Sequence, residues 1–158
     1  MLNQIRISER GEIQVKGENV MAGYYHNDEQ NRNAFDGEWL CTGDLGYIKT
    51  GELYITGRIK NLIILSNGEN LSAESIEDEI YRHIPYVKEV IAYGEKGVIT
   101  AEVYLDEEKA DGKEQIHEDI RKLNRQLPQV KAIGKVIVRD TEFPKTTTKK
   151  IKRYKEKK

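Results

Sequence analysis

Asp44 and Arg58 are the side chains whose type and setting best suit the binding of a sugar or a phosphate. Asp44 lies between Gly43 and Gly46, where the backbone can turn sharply and present a short carboxylate. A carboxylate accepts two hydrogen bonds, which matches the vicinal hydroxyls of a ribose. Arg58 follows Gly57, and its guanidinium is a forked donor for a sugar or a phosphate. By itself, the pattern around Asp44 favours a turn residue that bonds its own backbone.

Basic residues are concentrated at the end of the chain. Residues 145–158 carry eight Lys or Arg and one acid, so the other 144 residues have a net charge of −8. Such a tail can be a solvated end, a nucleic-acid arm or a phosphate-binding element. We do not expect a nucleic-acid partner, because the acidic body repels a polyanion and no helix-turn-helix, zinc-finger or RNA-binding signature is present.

Composition narrows the class of protein further. The 158 residues suffice for one to two small domains. Cys41 is the single cysteine, so an internal disulfide and a thiolate zinc site are excluded, and the three widely spaced histidines predict no metal site. Cys41 itself is predicted to be an inert thiol. Without a transmembrane-length apolar run or a secretory h-region, we expect a reducing, cytoplasmic setting.

The elements that must position these residues fall into two patterns. Residues 1–57 are rich in glycine and predict strands and turns: a strand in 11–17, a loop with at most one helical turn in 26–33, and a hairpin turning at 49–52. The pattern changes near 57–61, where we place a domain boundary.

Residues 58–158 alternate strand and helix signals. Strands are predicted at 62–65, 87–93, 98–105 and 135–138. One helix, capped by Ser72, repeats isoleucine at every fourth position and stops at Pro85. The other repeats an apolar stripe over 116–127 and stops at Pro128. The whole chain is therefore predicted to be an α+β protein.

Three stretches carry a family resemblance through their order and spacing. They are GEWLCTGDLG (37–46), YITGRIKNLIILSNGENLSAESIE (54–77) and EFPKTTTKKIKR (142–153), with GYY (23–25) ahead of them. Together they resemble the carboxyl-terminal signatures of the adenylate-forming (AMP-binding) enzymes, which include acyl-CoA synthetases, peptide-synthetase adenylation domains and luciferases. The resemblance covers nearly the whole chain.

The resemblance implies a division of labour. Residues 1–57 would be the β-rich end of the large AMP-binding domain, and 58–158 the small mobile C-terminal lid domain. Asp44 would bind the ribose of ATP and AMP, Arg58 would touch the nucleotide, and Lys60 would be the hinge. Gly68 would line the passage for the pantetheine arm of coenzyme A. The residues alone also allow a solvated Lys60 and an ordinary turn at Gly68.

Lys150 falls on the catalytic position of the family pattern, which is Pro-Lys-Thr, two variable residues, Gly and then Lys. Here Lys149 replaces the glycine. Joining a carboxylate to the α-phosphate of ATP brings two anions together, and an ammonium group between them stabilises the charge of the transition state. The residues alone would also fit an ordinary basic tail.

The implied function is the activation of a carboxylic acid, a fatty acid by the phrase GRIKNLIILSNGENLS, as acyl-AMP and its transfer to coenzyme A. The implied cofactors are ATP, coenzyme A and Mg²⁺, the ion being bound mainly by an amino-terminal domain that is missing here. The phosphate-gripping loop and the acyl pocket are also missing, so we expect the chain alone to be inactive. Its β-rich part could form a homodimer through exposed apolar surface.

Two alternatives stay open. The chain could belong to a peptide-synthetase adenylation domain or an aryl-CoA ligase, since the discriminating pocket is missing. It could also be a non-catalytic binding or regulatory fragment with a basic tail.

Overall fold

The computed structural model describes residues 3–106, 108 and 114–153, and the chain divides into two compact units between Leu62 and Ile63. This division falls one residue beyond the segment in which the sequence predicts a boundary. The end of the predicted basic tail, 154–158, lies outside the described residues. The mixture of helices and strands confirms the predicted α+β class.

The first unit is a five-stranded antiparallel sheet with one short helix. Its elements are β1 (Gln4–Ile7), β2 (Glu12–Lys16), α1 (Asp28–Ala34), β3 (Phe35–Asp36), β4 (Trp39–Lys49) and β5 (Glu52–Arg58). The strand order is β1-β2-β4-β3, and β5 also pairs with β4. Helix α1 is longer than the single turn allowed by the sequence, because Asn27 caps it by accepting a hydrogen bond from Gln30 N.

The β4–β5 hairpin turns where the sequence predicts. Thr50 and Gly51 both have positive φ, 50° and 81°, as a two-residue turn of the favoured hairpin type requires. Tyr47 and Tyr54 stack across the strands with ring centroids 5.1 Å apart. Beyond them, Gly46 leaves room for the opposite strand, since a Cβ there would lie 2.3 Å from the carbonyl oxygen of Tyr54.

Apolar side chains stay exposed on this hairpin. Ile48 is 48% exposed and Ile55 is 67% exposed. Such surface supports burial against another protein surface, and the homodimer stays a prediction.

The second unit pairs a three-stranded sheet with two helices. Its elements are β6 (Leu62–Ile64), which begins at the last residue of the first unit, β7 (Asn70–Ser72), α2 (Ala73–His83), β8 (Val87–Glu95), β9 (Val98–Leu105), α3 (Gln115–Asn124) and β10 (Ile133–Arg139). In the main sheet β9 is central, parallel to β10 and antiparallel to β8. Strands β6 and β7 form a separate pair. Strand β7 was not predicted, because it has one apolar residue, whereas the equally short β6 is wholly apolar.

The predicted apolar stripes form the core of this unit. Ile76 and Ile80 of α2, and Ile116 and Ile120 of α3, are at most 2% exposed and pack on one face of β8 and β9. Helix α3 ends at Asn124, so Leu127 packs on the core from beyond the helix. Glu89 of β8 precedes the core residue Val90 and so faces the other side of the sheet, where it accepts a hydrogen bond from Phe143 N in the segment that follows β10.

Candidate functional site

Asp44 and Arg58 face each other across the hairpin. They are register partners in β4 and β5, and Arg58 Nε donates a hydrogen bond to Asp44 Oδ1 at 2.5 Å. The Asp44 side chain is 29% exposed and that of Arg58 is 48% exposed. The structure thus brings the two predicted nucleotide-binding residues together at a solvent-accessible place.

The backbone around Asp44 is held by neighbouring strands rather than by its own carboxylate. Asp44 lies within β4, and the left-handed kink falls one residue earlier, at Gly43 with φ 72°. Thr42 Oγ1 accepts a hydrogen bond from Asp44 N and donates to the carbonyl of Ile13. Glu12 accepts a hydrogen bond from Gly43 N at 2.9 Å. The interpretation of Asp44 as a turn residue bonding its own backbone is therefore wrong.

The Asp44 carboxylate keeps bonding capacity. Within the part of the chain that the structure describes, Oδ2 has no hydrogen-bond partner, while Oδ1 takes Arg58. An oxygen in this state can accept a hydrogen bond from a hydroxyl of a bound molecule. The paired guanidinium also holds the carboxylate in one orientation, which favours a defined geometry of binding.

Lys60 lies in a short 3-10 turn, Ile59–Asn61, directly before the division between the units. It is exposed and lies two positions from both Arg58 and Leu62. The position suits backbone rotation at a boundary. Its role as a hinge stays a prediction.

Gly68 lies in the turn that joins β6 to β7. Its φ is 83°, and Gly68 N donates to the carbonyl of Leu65 at 2.9 Å. A Cβ on Gly68 would meet no atom within 4 Å. The glycine is therefore required by the backbone conformation and not by crowding from the described residues, and its role beside coenzyme A stays a prediction.

The segment that carries Lys150 folds back on itself as a tight hairpin. Thr146 N donates to the carbonyl of Lys150 at 2.8 Å, and Lys152 N donates to the carbonyl of Pro144 at 2.8 Å. Lys149 takes φ 61°, in the left-handed region that glycine favours. The replacement of the family's glycine by Lys149 therefore keeps the turn at the cost of backbone strain.

Lys145 anchors the first arm of this hairpin. Its Nζ lies 2.5 Å from Glu89 Oε1 and 2.7 Å from Glu142 Oε2, and these carboxylates raise the pKa of the lysine. The second oxygen of Glu89 accepts a hydrogen bond from Phe143 N at 2.7 Å. Glu89 is only 6% exposed, so the first arm is anchored to a buried carboxylate whose two oxygens both have partners.

Arg153 anchors the second arm. Its two terminal nitrogens donate to the two oxygens of Glu77, each at 2.6 Å. Ser72 forms the cap of α2, and Glu77, five positions later, forms a buried ion pair. Its place on the apolar face of α2, beside Ile76, was the signal that a cationic partner must exist.

Lys150 differs from these two anchors. Its side chain is exposed, and among the described residues no acid or acceptor pairs with its ammonium group; the same holds for Lys149 and Lys152. An ammonium group in this state can meet an anionic ligand without first breaking an ion pair.

Cys41 and the acidic residues point to no further chemistry. Burial raises the pKa of the Cys41 thiol and outweighs the opposite effect of Gln14 Nε2, which donates a hydrogen bond to the sulfur at 3.3 Å, so the thiol stays protonated. Across residues 3–106, 108 and 114–153, no group of three or more His, Cys, Asp or Glu could hold a metal ion. None of the described helices has the length and apolar character needed to cross a membrane.

Comparison with protein families gives one clear match. Residues 60–158 match the model of the AMP-binding enzyme C-terminal domain. The match covers the second unit and begins two residues after Arg58, so Asp44 and Arg58 lie outside it.

Known proteins extend the likeness to the first unit. A long-chain-fatty-acid–CoA ligase of Mycobacterium tuberculosis is 36% identical over 112 residues, which are 70% of this chain and 18% of that protein. A 2-succinylbenzoate–CoA ligase of Bacillus velezensis is 50% identical over 76 residues, 48% of this chain and 15% of that protein.

A solved structure matches the fold of nearly the whole chain. The o-succinylbenzoate CoA synthetase of Bacillus subtilis, in complex with an acyl-adenylate intermediate, superposes with a TM-score of 0.80 and 30% identity. The superposition covers 99% of this chain and 34% of that one. The chain thus spans between about a sixth and a third of the length of these relatives.

Proposed function

Because this chain belongs to the family of AMP-binding, adenylate-forming enzymes, we propose that it acts as the carboxyl-terminal part of an ATP-dependent acid–thiol ligase. In the first step a carboxylate attacks the α-phosphate of ATP, forming acyl-AMP and releasing pyrophosphate. In the second step a thiol attacks the acyl carbon and AMP leaves. We propose coenzyme A as the thiol and the cytoplasm as the location.

The observation that carries this proposal is the Asp44–Arg58 pair. It lies outside the matched family model, yet it presents a carboxylate with an open oxygen next to a guanidinium. We propose that Asp44 accepts hydrogen bonds from the ribose hydroxyls and that Arg58 contacts the nucleotide. An ordinary surface ion pair would need neither the kink at Gly43 nor the two bonds that fix it.

Lys150 is proposed to act in the first step. Its ammonium group would stabilise the charge that develops between the attacking carboxylate and the α-phosphate. Gly68 is proposed to act in the second step, by leaving a passage for the pantetheine arm. Lys60 is proposed to be the hinge about which residues 58–158 turn, as a lid, against the large domain that would include 1–57.

The residues that the structure describes do not form a magnesium site. The described part holds no cluster of acids suited to a metal ion. We therefore derive no step through Mg²⁺ in this chain, and we propose that the ion is held by the larger part of the enzyme.

A fatty acid is our first choice of acyl substrate, supported by the mycobacterial relative that aligns with most of this chain. An aromatic acid is the second candidate, because the succinylbenzoate ligase is 50% identical over its shorter alignment. Both candidates use the same two steps and the same residues of this chain.

The test uses the 158-residue chain joined to the amino-terminal part of the B. velezensis ligase, in place of that enzyme's own terminus. Exchange of labelled pyrophosphate into ATP, with fatty and aromatic acids as substrates, reports the first step. We expect Lys150→Ala to lower this exchange about 100-fold or more, as the loss of one charge-stabilising donor does. Lys152→Ala, which removes a neighbouring exposed lysine, should leave it nearly unchanged.

Two results would overturn the proposal. The first is a fused enzyme that is active but indifferent to Lys150→Ala. The second is turnover of ATP, a fatty acid and coenzyme A by the unfused chain, which would contradict the dependence on a larger partner domain.

A further inference from the structure

The segment that begins with Arg139, the last residue of β10, is tied to the rest of the second unit by three buried carboxylates. Each carboxylate is at most 8% exposed, and each receives a cation from this segment. The pairs are Arg139 with Glu102, Lys145 with Glu89, and Arg153 with Glu77. Two of these three pairs flank the hairpin of Lys150.

Among the three carboxylates, Glu77 accepts the most hydrogen bonds from described residues. Besides the two bonds from Arg153, its Oε1 accepts a hydrogen bond from Ala92 N at 2.7 Å. Ala92 lies on β8, the edge strand of the sheet, so Glu77 satisfies a backbone donor that no neighbouring strand reaches. The packing of α2 on β8 therefore fixes the Glu77 carboxylate independently of Arg153.

The two parallel hydrogen bonds from Arg153 to Glu77 also fix the position of Arg153. A bidentate arginine–carboxylate pair sets direction as well as distance, which a single ammonium contact does not. Arg153 is three residues after Lys150, a span of about 10 Å at full extension. The other arm of the hairpin is held at Glu89 through Lys145. Lys150 therefore lies between two anchored points.

Stability alone gives little reason for a buried ion pair at this place. Apolar residues of similar volume often give equal or greater stability. A buried charge pair, in contrast, can select one conformation of the chain among several. The turn at Lys149 also needs a contact that selects its conformation. Lys149 is strained at φ 61°, and the strain would relax if the second arm of the hairpin were not anchored.

We propose that Glu77, acting through Arg153, is a positioning residue that sets where the ammonium group of Lys150 lies. The inference rests on the proposed role of Lys150 and extends it to two residues that contact no substrate. Loss of the fork should displace the lysine without removing it, and a displacement of about 1 Å can cost up to about 100-fold in rate.

The first test uses the 158-residue chain and needs no activity. Glu77→Gln keeps the volume and the bond to Ala92 N but removes the charge of the bidentate pair, so that the longer contact of Arg153 with Glu74, at 3.6 Å, is an ion pair that remains. Glu102→Gln is the matched control, because Glu102 is also buried and also holds an arginine, away from the hairpin. Hydrogen exchange of the Thr146 and Lys150 amides should speed up about tenfold in Glu77→Gln and stay the same in Glu102→Gln.

The second test follows the two steps in the fused ligase described above. Glu77→Gln and Arg153→Lys should each lower kcat for pyrophosphate exchange about 10-fold or more, with KM for ATP within about twofold. Transfer from a supplied acyl-adenylate to coenzyme A should be unchanged, since Lys150 serves only the first step. In a double-mutant cycle, Glu77→Gln should add almost nothing to Lys150→Ala.

The outcomes separate the two proposals. Unchanged amide exchange in Glu77→Gln, or equal slowing of both steps, or losses that multiply with Lys150→Ala, would each overturn the positioning role. An enzyme indifferent to Lys150→Ala would instead sink the proposed function. In that case faster amide exchange in Glu77→Gln alone would still support the structural part of the inference, and unchanged exchange would overturn it.

Discussion

Arg58 Nε and Asp44 Oδ1 lie 2.5 Å apart across the β4–β5 hairpin, although the two residues are 14 positions apart in sequence. Their pairing depends on the register set by the Thr50–Gly51 turn and on the bulge between Leu45 and Gly46. A nucleotide-binding role therefore rests on hairpin geometry as much as on the two side chains.

Asp44→Asn should weaken ATP binding with little effect on folding. The carboxylate would lose charge-assisted bonds worth about 1.5–3 kcal/mol, so KM for ATP should rise about tenfold or more in the fused ligase. Asp36→Asn is the control, because Asp36 also pairs with an arginine, Arg6, on the surface of the same unit. An equal rise of KM in both variants would contradict the role of Asp44.

Lys149→Gly should stabilise the second unit. A lysine at φ 61° pays a steric cost that glycine avoids, and part of this gain is offset by the greater freedom of glycine in the unfolded chain. We expect about 0.5–1 kcal/mol more free energy of unfolding in urea. Lys152→Gly, at a position without positive φ, should instead lose stability. A loss of stability in both variants would contradict the strain at Lys149.

Gly68→Ala should slow the second chemical step more than the first. The φ of 83° strains an alanine by about 1 kcal/mol, and the added methyl group would narrow the proposed passage. We expect slower transfer to coenzyme A with nearly normal pyrophosphate exchange. Gly97→Ala, at φ 78° in the turn between β8 and β9, is the control for strain alone. Equal slowing of both steps by Gly68→Ala would argue against the passage.

The bond between Tyr86 and Asp119 should make stability depend on pH. Tyr86 OH donates to Asp119 Oδ2 at 2.8 Å, which lowers the pKa of Asp119 below its usual 3.8. A carboxyl whose pKa is lowered by folding stabilises the protein above its unfolded pKa, and this stability is lost as pH falls through the folded pKa.

Tyr86→Phe should therefore cost about 1 kcal/mol at neutral pH. The difference from the unchanged chain should shrink as pH falls below about 3.8, and urea unfolding at several pH values measures it. A difference that stays constant over this range would show that the hydroxyl contributes through packing alone.

Local signals in the sequence predicted much of the fold. The turn at 49–52, the cap at Ser72 and the isoleucine stripe of α2 are short-range patterns, and the structure confirms each of them. They can be predicted because turn chemistry and helical periodicity act within a few residues. The strand β7 escaped prediction because it is stabilised by its partner β6 and not by its own residues.

The candidate site likewise has a part that local sequence predicted and a part that depends on tertiary packing. The sequence by itself singled out Asp44, Arg58 and Lys150 as candidates for chemistry, and it predicted where glycine or proline bends the chain. Only the tertiary structure decided that Arg58 holds Asp44, and that Arg153 reaches Glu77 across 76 positions of sequence. The physical reason is that a buried charge must be paired, but the choice of its partner depends on which distant segments pack together.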